Sequence, residues 1–156
     1  MNDEQETLVN LLRKAVDLVY SEKRFLLRHS DGDREGLEQA FAFRVGVYLT
    51  RLLEGTEYEA LDVDSEYNKS YGNPKRTKNF PRGVRPDIIL HLRNSNDSNK
   101  LVVEFKGYWD KDIEHDILKL IDLTHPEDSY QYSIGVLVIL GKTEATLRHV
   151  IGGQVL

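Results

Sequence analysis

The feature that most constrains the fold is a pair of apolar runs between residues 84 and 106, separated by a polar turn. The first run reads V-R-P-D-I-I-L-H-L-R, the turn reads N-S-N-D-S-N, and the second run reads K-L-V-V-E-F-K. Two apolar runs joined by turn-forming residues are typical of a β-hairpin. Antiparallel pairing folds the start of the first strand back beside the end of the second. We therefore predict that Asp87 lies close to Glu104 and Lys106.

The residue types at this position indicate chemistry on a phosphate. Glu104 and Lys106 are two residues apart, so they share one face of their strand while Phe105 points to the other. Carboxylate oxygens suit Mg²⁺ or Mn²⁺, and such an ion activates a water and neutralises phosphate charge. A nearby lysine can stabilise developing negative charge or help to deprotonate the water. The alternative is an exposed aspartate with an ordinary surface Glu–Lys pair, but a glutamate after Leu-Val-Val is unusual for a buried strand.

These residues carry a resemblance to a known family. Pro86-Asp87 followed by Glu104-Phe105-Lys106 resembles the PD-(D/E)XK motif of the restriction-endonuclease-like nuclease superfamily. The resemblance implies a Mg²⁺- or Mn²⁺-dependent endonuclease that hydrolyses phosphodiester bonds, in DNA rather than RNA. It implies that Asp87, Glu104 and the Phe105 carbonyl hold the metal, and that Lys106 positions or deprotonates the attacking water.

A second stretch, D-S-E-Y-N-K from Asp64 to Lys69, resembles small bacterial and phage-type single-domain members of that superfamily. It is less specific than the first pair of motifs. Glu66 within it is either an additional carboxylate near the site or one of several solvated acids on a strand face, and the sequence leaves both open.

Composition sets the class of protein. A chain of 156 residues with 40% apolar and 30% charged residues predicts one globular domain. Cysteine is absent, which excludes disulfides, thiolate zinc sites and a cysteine nucleophile. The acidic start M-N-D-E-Q-E-T does not resemble a signal peptide, and no apolar run approaches the roughly 20 residues of a membrane span. We expect a cytoplasmic protein without a membrane partner.

Periodicity predicts the element order helix, helix, strand, strand, strand, helix, strand. The predicted segments are Glu4–Leu27, Leu37–Leu53, Tyr58–Asn68, the two strands of the hairpin, Lys111–Leu123 and Tyr132–Leu140. This is an α/β fold with a mixed central sheet flanked by helices. It agrees with the αβββαβ core of the resembled superfamily, with an extra N-terminal helix. In a single domain 1–156, residues 1–36 would be the helical extension and residues 37–140 the core.

The helix and loop boundaries carry further expectations. Asp3 is predicted to cap the first helix with Glu6 in capping-box position, and residues 30–36 are predicted to form a loop. The stretch from Ala145 to Val150 is either a small helix or an edge strand. The first helix is a packing helix, or alternatively a dimer interface.

The two flanking helices supply further candidates. The resemblance implies that a glutamate of the helix before the sheet joins the metal site, and Glu38 is our candidate; alternatively it only favours the helix dipole. Arg44 either binds phosphate or pairs with an acid. On the helix after the hairpin, the resemblance implies a basic or polar residue facing the site. Lys119 is our choice, with Lys111 and His115 as competitors.

Positive charge is concentrated immediately before Asp87. The net charge is −5, but residues 69–93 hold seven basic residues and one acidic residue, a net +6 that leaves −11 for the rest of the chain. Residues 69–83 are rich in Gly, Pro and Asn without any period, which predicts a long loop. Its cations would contact phosphates, and its Tyr71 and Phe80 could stack on unpaired bases. The predicted substrate-binding cations are Lys69, Lys75, Arg76, Lys78, Arg82 and Arg85, together with Lys119 on the helix after the hairpin.

Two rival hypotheses remain open at this stage. The chain could be a catalytically silent nucleic-acid-binding or protein-interaction subunit of the same fold, although its intact acids and lysine argue against that. It could instead be a plain interaction module that uses the first helix. A homodimer or a place in a larger complex is compatible with each hypothesis.

Overall fold

A computed structural model describes residues 1–23 and 34–156, in which three helices pack on a six-stranded sheet and a two-stranded ribbon lies apart from it. The helices are α1 (Asp3–Lys23), α2 (Arg34–Leu53) and α3 (Ile113–Thr124). The strands are β1 (Asp62–Ser65), β2 (Lys69–Ser70), β3 (Asn73–Pro74), β4 (Ile88–His91), β5 (Leu101–Gly107), β6 (Ile134–Leu140), β7 (Ala145–Ile151) and β8 (Gln154–Val155).

The sheet order is β1-β4-β5-β6-β7-β8. Strands β1, β4 and β5 form an antiparallel meander, while β5 and β6 are parallel neighbours joined through α3. The α/β class and the mixed sheet are therefore as the sequence predicts. Strands β5 and β6 are almost wholly buried, which explains why both read as continuous apolar runs rather than as alternating ones.

Each face of the sheet is covered by helices. Leu101, Val103 and Phe105 of β5 pack into a large core with the apolar stripes of α1 and α2. Val102, on the opposite face of β5, packs with Leu120 and Leu123 of α3 in a second core. Helix α1 thus belongs to the main core, as expected of a packing helix.

Several predicted boundaries are corrected. The N-terminal capping box lies one residue earlier than predicted: the Asn2 N–H donates to Gln5 Oε1 and the Gln5 N–H donates to Asn2 Oδ1, each at 2.9 Å. Helix α2 begins at Arg34, so the predicted loop is wrong for residues 34–36, which lie in the helix. The remainder of that loop, at residues 30–33, and the predicted helix end at Leu27 lie outside the described residues.

Strands form in two further segments. The predicted loop at residues 69–83 contains the ribbon β2–β3, because Gly72 takes a positive φ of 85° that permits a tight turn between the two strands. Residues 145–150 are a strand, and this strand lies at the edge of the sheet except at its end, where β8 pairs with Val150 and Ile151. In the ranges 1–23 and 34–156, no helix has the length and apolar character needed to cross a membrane.

Candidate active site at one end of the sheet

The register of the hairpin brings the predicted site residues together. Strands β4 and β5 pair Ile88 with Val103, and continuing this register places Asp87 opposite Glu104. Residues opposite each other in a sheet point to the same face. Asp87 and Glu104 therefore both face α3, as does Lys106 two residues further along β5.

Asp87 is fixed by a backbone hydrogen bond just beyond the end of the ladder. The Phe105 N–H donates to Asp87 Oδ2 at 2.7 Å. The same register places Phe105 opposite Pro86, which has no N–H to donate. The Phe105 carbonyl consequently receives no ladder hydrogen bond from residue 86. The residue pair Pro86-Asp87 thus leaves a carbonyl oxygen available beside a carboxylate.

Glu104 is the most deeply buried acid of the site, at 1% exposure. Its Oε2 accepts a hydrogen bond from Lys119 Nζ at 2.9 Å, while its Oε1 is buried without a partner. Burial raises the pKa of Glu104 well above its usual value, and the charge of Asp87 raises it further against the lowering effect of Lys119. An unpartnered carboxylate oxygen in the interior is costly unless a cation or a donor reaches it.

Lys106 is held by two acids that were not predicted from the sequence. Its Nζ lies 2.7 Å from Asp116 Oδ2 and 3.2 Å from Asp110 Oδ2. Burial lowers the pKa of Lys106, but the ion pairs with Asp116 and Asp110 outweigh burial and hold this pKa above its usual range. Lys106 is therefore a fixed positive charge at neutral pH.

Helix α3 contributes Lys119, the predicted candidate, together with Asp116. Lys119 Nζ lies 2.9 Å from Asp116 Oδ1 as well as from Glu104 Oε2. Burial lowers the pKa of Lys119, and the two carboxylates raise it to a net value above the ordinary one. The spacing of three residues between Asp116 and Lys119 puts both on one helical face, a signal that could have identified Asp116 from the sequence.

Glu38 reaches the site from the opposite side of the sheet. Its Oε2 accepts a hydrogen bond from the Gly107 N–H at 2.7 Å, at the end of β5. Burial raises the pKa of Glu38, the Gly107 N–H lowers it, and the nearby charge of Lys106 also lowers it. The structure thus brings Glu38 to the same sheet end as Asp87, as predicted.

The cluster holds more acids than bases. Two lysines, Lys106 and Lys119, face five carboxylates, those of Glu38, Asp87, Glu104, Asp110 and Asp116. Burial raises the pKa of Asp87 too, against the lowering effect of the Phe105 N–H. A cation at this position would relieve the excess of negative charge.

The donor set fits a hard divalent cation. Asp87, the unpartnered Glu104 Oε1 and the Phe105 carbonyl provide oxygen donors, and Mg²⁺ is commonly held by one or two carboxylates with waters completing its shell. Within the part of the chain that the structure describes, no three acidic, histidine or cysteine side chains are grouped to hold a metal by themselves. A metal here would thus depend on two carboxylates, the carbonyl and water, and Glu38 stays a hypothesis as a ligand.

The predicted substrate-binding cations of residues 69–85 differ in their exposure to solvent. Five are exposed on the surface: Lys69, Arg76, Lys78, Arg82 and Arg85. Lys75 is not exposed, so the structure does not place it on the surface with the other five. It is 1% exposed, and its Nζ lies 4.7 Å from the ring centroid of Tyr130 and 5.8 Å from that of Tyr132. Lys75 is therefore a buried residue that packs against tyrosines.

The other residues that the sequence offers as site candidates lie on the surface. Arg44 is exposed and lies over the Phe43 ring, 5.8 Å from its centroid. The Glu66 side chain is exposed, while its N–H donates to the Asp87 carbonyl at 3.1 Å. Lys111 and His115 are exposed. Among the α3 candidates, Lys119 is the one that contacts the acids of the site.

Comparison of the chain with protein-family models, with curated proteins and with solved structures finds no match. The chemistry of the site therefore rests on its geometry and on the motif resemblance.

Proposed function

We propose that this protein is a Mg²⁺- or Mn²⁺-dependent nuclease that hydrolyses phosphodiester bonds in DNA, with RNA as the less favoured substrate. The observation that carries the proposal is the meeting of Asp87, Glu104 and Lys106 on one face at the end of β5, with one Glu104 oxygen buried and unpartnered. The element order α2-β1-β4-β5-α3-β6 agrees with a restriction-endonuclease-like core, which we propose as the specific fold.

The acids of the site have distinct roles in this proposal. Asp87, Glu104 and the Phe105 carbonyl would hold the divalent ion, with Glu38 as a further ligand directly or through water. When bound, such an ion supplies an activated water and neutralises charge on the phosphate. Lys119 orients the Glu104 carboxylate through its 2.9 Å contact, and this contact leaves Oε1 available to the ion.

Lys106 acts in this proposal as a cation rather than as a base. Its ion pairs with Asp116 and Asp110 raise its pKa above the usual range, so the ammonium keeps its proton at neutral pH. A fixed ammonium can donate hydrogen bonds to a phosphate oxygen as negative charge develops there. Of the two roles that the sequence leaves open for Lys106, charge stabilisation is the one its surroundings favour.

The second candidate function is nucleic-acid binding without cleavage. The observation that favours it is that both lysines of the site already pair with carboxylates, so neither has an unengaged ammonium. In that case the exposed cations of residues 69–85 would bind phosphates, and the acidic cluster would be structural. Binding that survives metal chelation, with no cleavage under any metal, would favour this function.

The decisive experiment is a cleavage assay with single-stranded, nicked, flapped and duplex DNA and with RNA, in Mg²⁺, Mn²⁺ or EDTA. We expect metal-dependent cleavage by the wild-type protein and a loss of at least 100-fold in Lys106→Ala, consistent with the loss of one electrostatic donor. Lys111→Ala is the matched control, since Lys111 is an exposed lysine five residues away. Equal activity in wild type and Lys106→Ala would remove Lys106 from the mechanism.

A further inference from the structure

A buried carboxylate holds the basic loop, defined here as residues 75–83, in one shape. Asp122 of α3 is 6% exposed, and both of its oxygens are occupied by the loop. Thr77 Oγ1 and the Asn79 N–H donate to Asp122 Oδ2 at 2.6 and 2.9 Å, and Asn79 Nδ2 donates to Asp122 Oδ1 at 2.7 Å. Three hydrogen bonds to one ionised group are a strong local constraint.

The start of the loop is fixed by a second set of contacts. Lys75 lies among Tyr67, Tyr130 and Tyr132, with its Nζ between 4.7 and 5.8 Å from the three ring centroids. The Arg76 N–H donates to the Tyr130 hydroxyl at 2.9 Å. The Val84 N–H donates to the Lys75 carbonyl at 2.7 Å, which closes the loop at its base.

The anchored loop presents its cations to solvent. Arg76, Lys78 and Arg82 are exposed, whereas Thr77 between them is buried and donates to Asp122. The Phe80 ring packs edge-on against His115, at a centroid distance of 5.3 Å, one residue before Asp116 of the site. The loop that holds these cations is thus anchored to α3, the helix that also contributes Asp116 and Lys119 to the site.

We propose that Asp122 is a positioning residue for nucleic-acid binding: it holds the basic loop in the shape that presents Arg76, Lys78 and Arg82 to the phosphates of the strand. This inference rests on the proposed function, which it deepens by assigning the contact surface and its support. Holding the cations in place before binding lowers the entropy cost of ordering them on the substrate. An acid beside a cationic surface should otherwise weaken the binding of a polyanion.

The direction in which Asp122→Asn changes the affinity for DNA distinguishes a positioning role from a simple effect of charge. Asp122→Asn removes a negative charge, which on charge alone would tighten DNA binding. An asparagine amide also offers one acceptor oxygen in place of two and carries no charge, so the loop keeps fewer or weaker hydrogen bonds to residue 122 and is held less firmly. We therefore expect Asp122→Asn to bind labelled DNA about 5- to 10-fold more weakly, measured by fluorescence anisotropy in EDTA over a salt series.

Two further variants separate the loss of charge from the loss of hydrogen bonds to the loop. Glu127→Gln removes the same charge from the same surface cavity, where Glu127 is exposed, and it should bind DNA as tightly as the wild type or slightly more tightly. Thr77→Val removes one donor to Asp122 without changing any charge, and it should also weaken DNA binding. This variant replaces Asp122→Asn in the test if Asp122→Asn does not fold. Asp122→Asn and Thr77→Val that both bind like the wild type would overturn the inference.

Trypsin provides a readout that does not need nucleic acid. It cuts after Arg76, Lys78 and Arg82, and we expect faster cleavage at these sites in Asp122→Asn than in the wild type, well below the melting temperature of each. Equal rates would show that Asp122 does not hold the loop, which also overturns the inference. A wild-type protein that resists trypsin there but binds no nucleic acid would instead contradict the proposed function and keep the loop anchor.

Discussion

At the scale of single residues, two lysines three positions apart have opposite environments. Lys75 is buried among tyrosine rings, whereas Lys78 is exposed on the basic loop. Sequence reasoning assigned both to phosphate binding because each lies in a basic stretch. The environments differ because Lys75 contacts Tyr130 and Tyr132, which follow more than 50 positions later in the chain. No local sequence pattern indicates such a contact.

The same substitution at each lysine should therefore give different results. Lys78→Met should weaken DNA binding and reduce the slope of log affinity against log salt by about 0.9, the value for one lost phosphate contact. Lys75→Met should leave both quantities near their wild-type values, because methionine fills a buried apolar site of similar length. Anisotropy titrations at four salt concentrations would measure both. A reduced slope in Lys75→Met would mean that Lys75 leaves its buried position to reach the phosphate.

At the scale of elements, alternation and apolar runs predicted the hairpin strands β4 and β5 and the later strand β6, because burial of a strand determines its residue types directly. Three of the site residues were found for the same reason: Asp87, Glu104 and Lys106 interrupt apolar strands. Asp110 and Asp116 were missed, since one follows the strand in a turn and the other begins a helix where acids are common. Their role depends on the position of Lys106 in space.

The end of the hairpin should be stabilised when a buried charge is removed. Burial raises the pKa of Asp87, so its ionised form costs free energy in the folded protein. Asp87→Asn keeps an oxygen that can accept from the Phe105 N–H, and it should raise the melting temperature in EDTA. A shift of about 2–4 °C would correspond to about 1 kcal/mol in a protein of this size.

The same variant should lose the response to metal. Mg²⁺ or Mn²⁺ at about 100 times its dissociation constant would stabilise the wild type by about 2.7 kcal/mol, and Asp87→Asn should show little of this gain. Asp97→Asn, an exposed aspartate in the turn of the same hairpin, is the matched control and should respond like the wild type. Equal metal-induced shifts in all three proteins, measured by calorimetry, would exclude Asp87 as a ligand.

At the scale of the whole molecule, charge is distributed in a way that the net value of −5 conceals. The exposed cations of residues 69–85 follow one another on the surface, whereas the acids of the site are held within the sheet end. Under the proposed function, the exposed cations would contact the phosphates and the acidic cluster would hold the divalent ion. Exposed cations together with a mostly buried acidic cluster suit a ligand that carries its own negative charge together with a divalent cation.

Lys75 also makes the global stability depend on pH in a defined window. Burial lowers its pKa from 10.5 to about 8, so between these values the unfolded chain binds a proton that the folded protein has lost. Stability should therefore rise with pH from about 8 to about 10.5. The tyrosine rings favour the charged ammonium and so oppose the effect of burial on the pKa of Lys75. We therefore expect the free energy of unfolding to rise by about 1–3 kcal/mol. Lys75→Met should lack this rise and should be more stable than the wild type at pH 7.

The difference between wild type and Lys75→Met isolates this effect from other groups that titrate in the window. Burial raises the pKa of Tyr132 above its usual range, which lowers stability at high pH in both proteins alike. Urea denaturation followed by the fluorescence of Trp109, the single tryptophan, gives the free energy of unfolding at each pH. Lys78→Met should keep the wild-type slope. Parallel curves for wild type and Lys75→Met would mean that Lys75 stays charged in the folded protein, held by its three tyrosines.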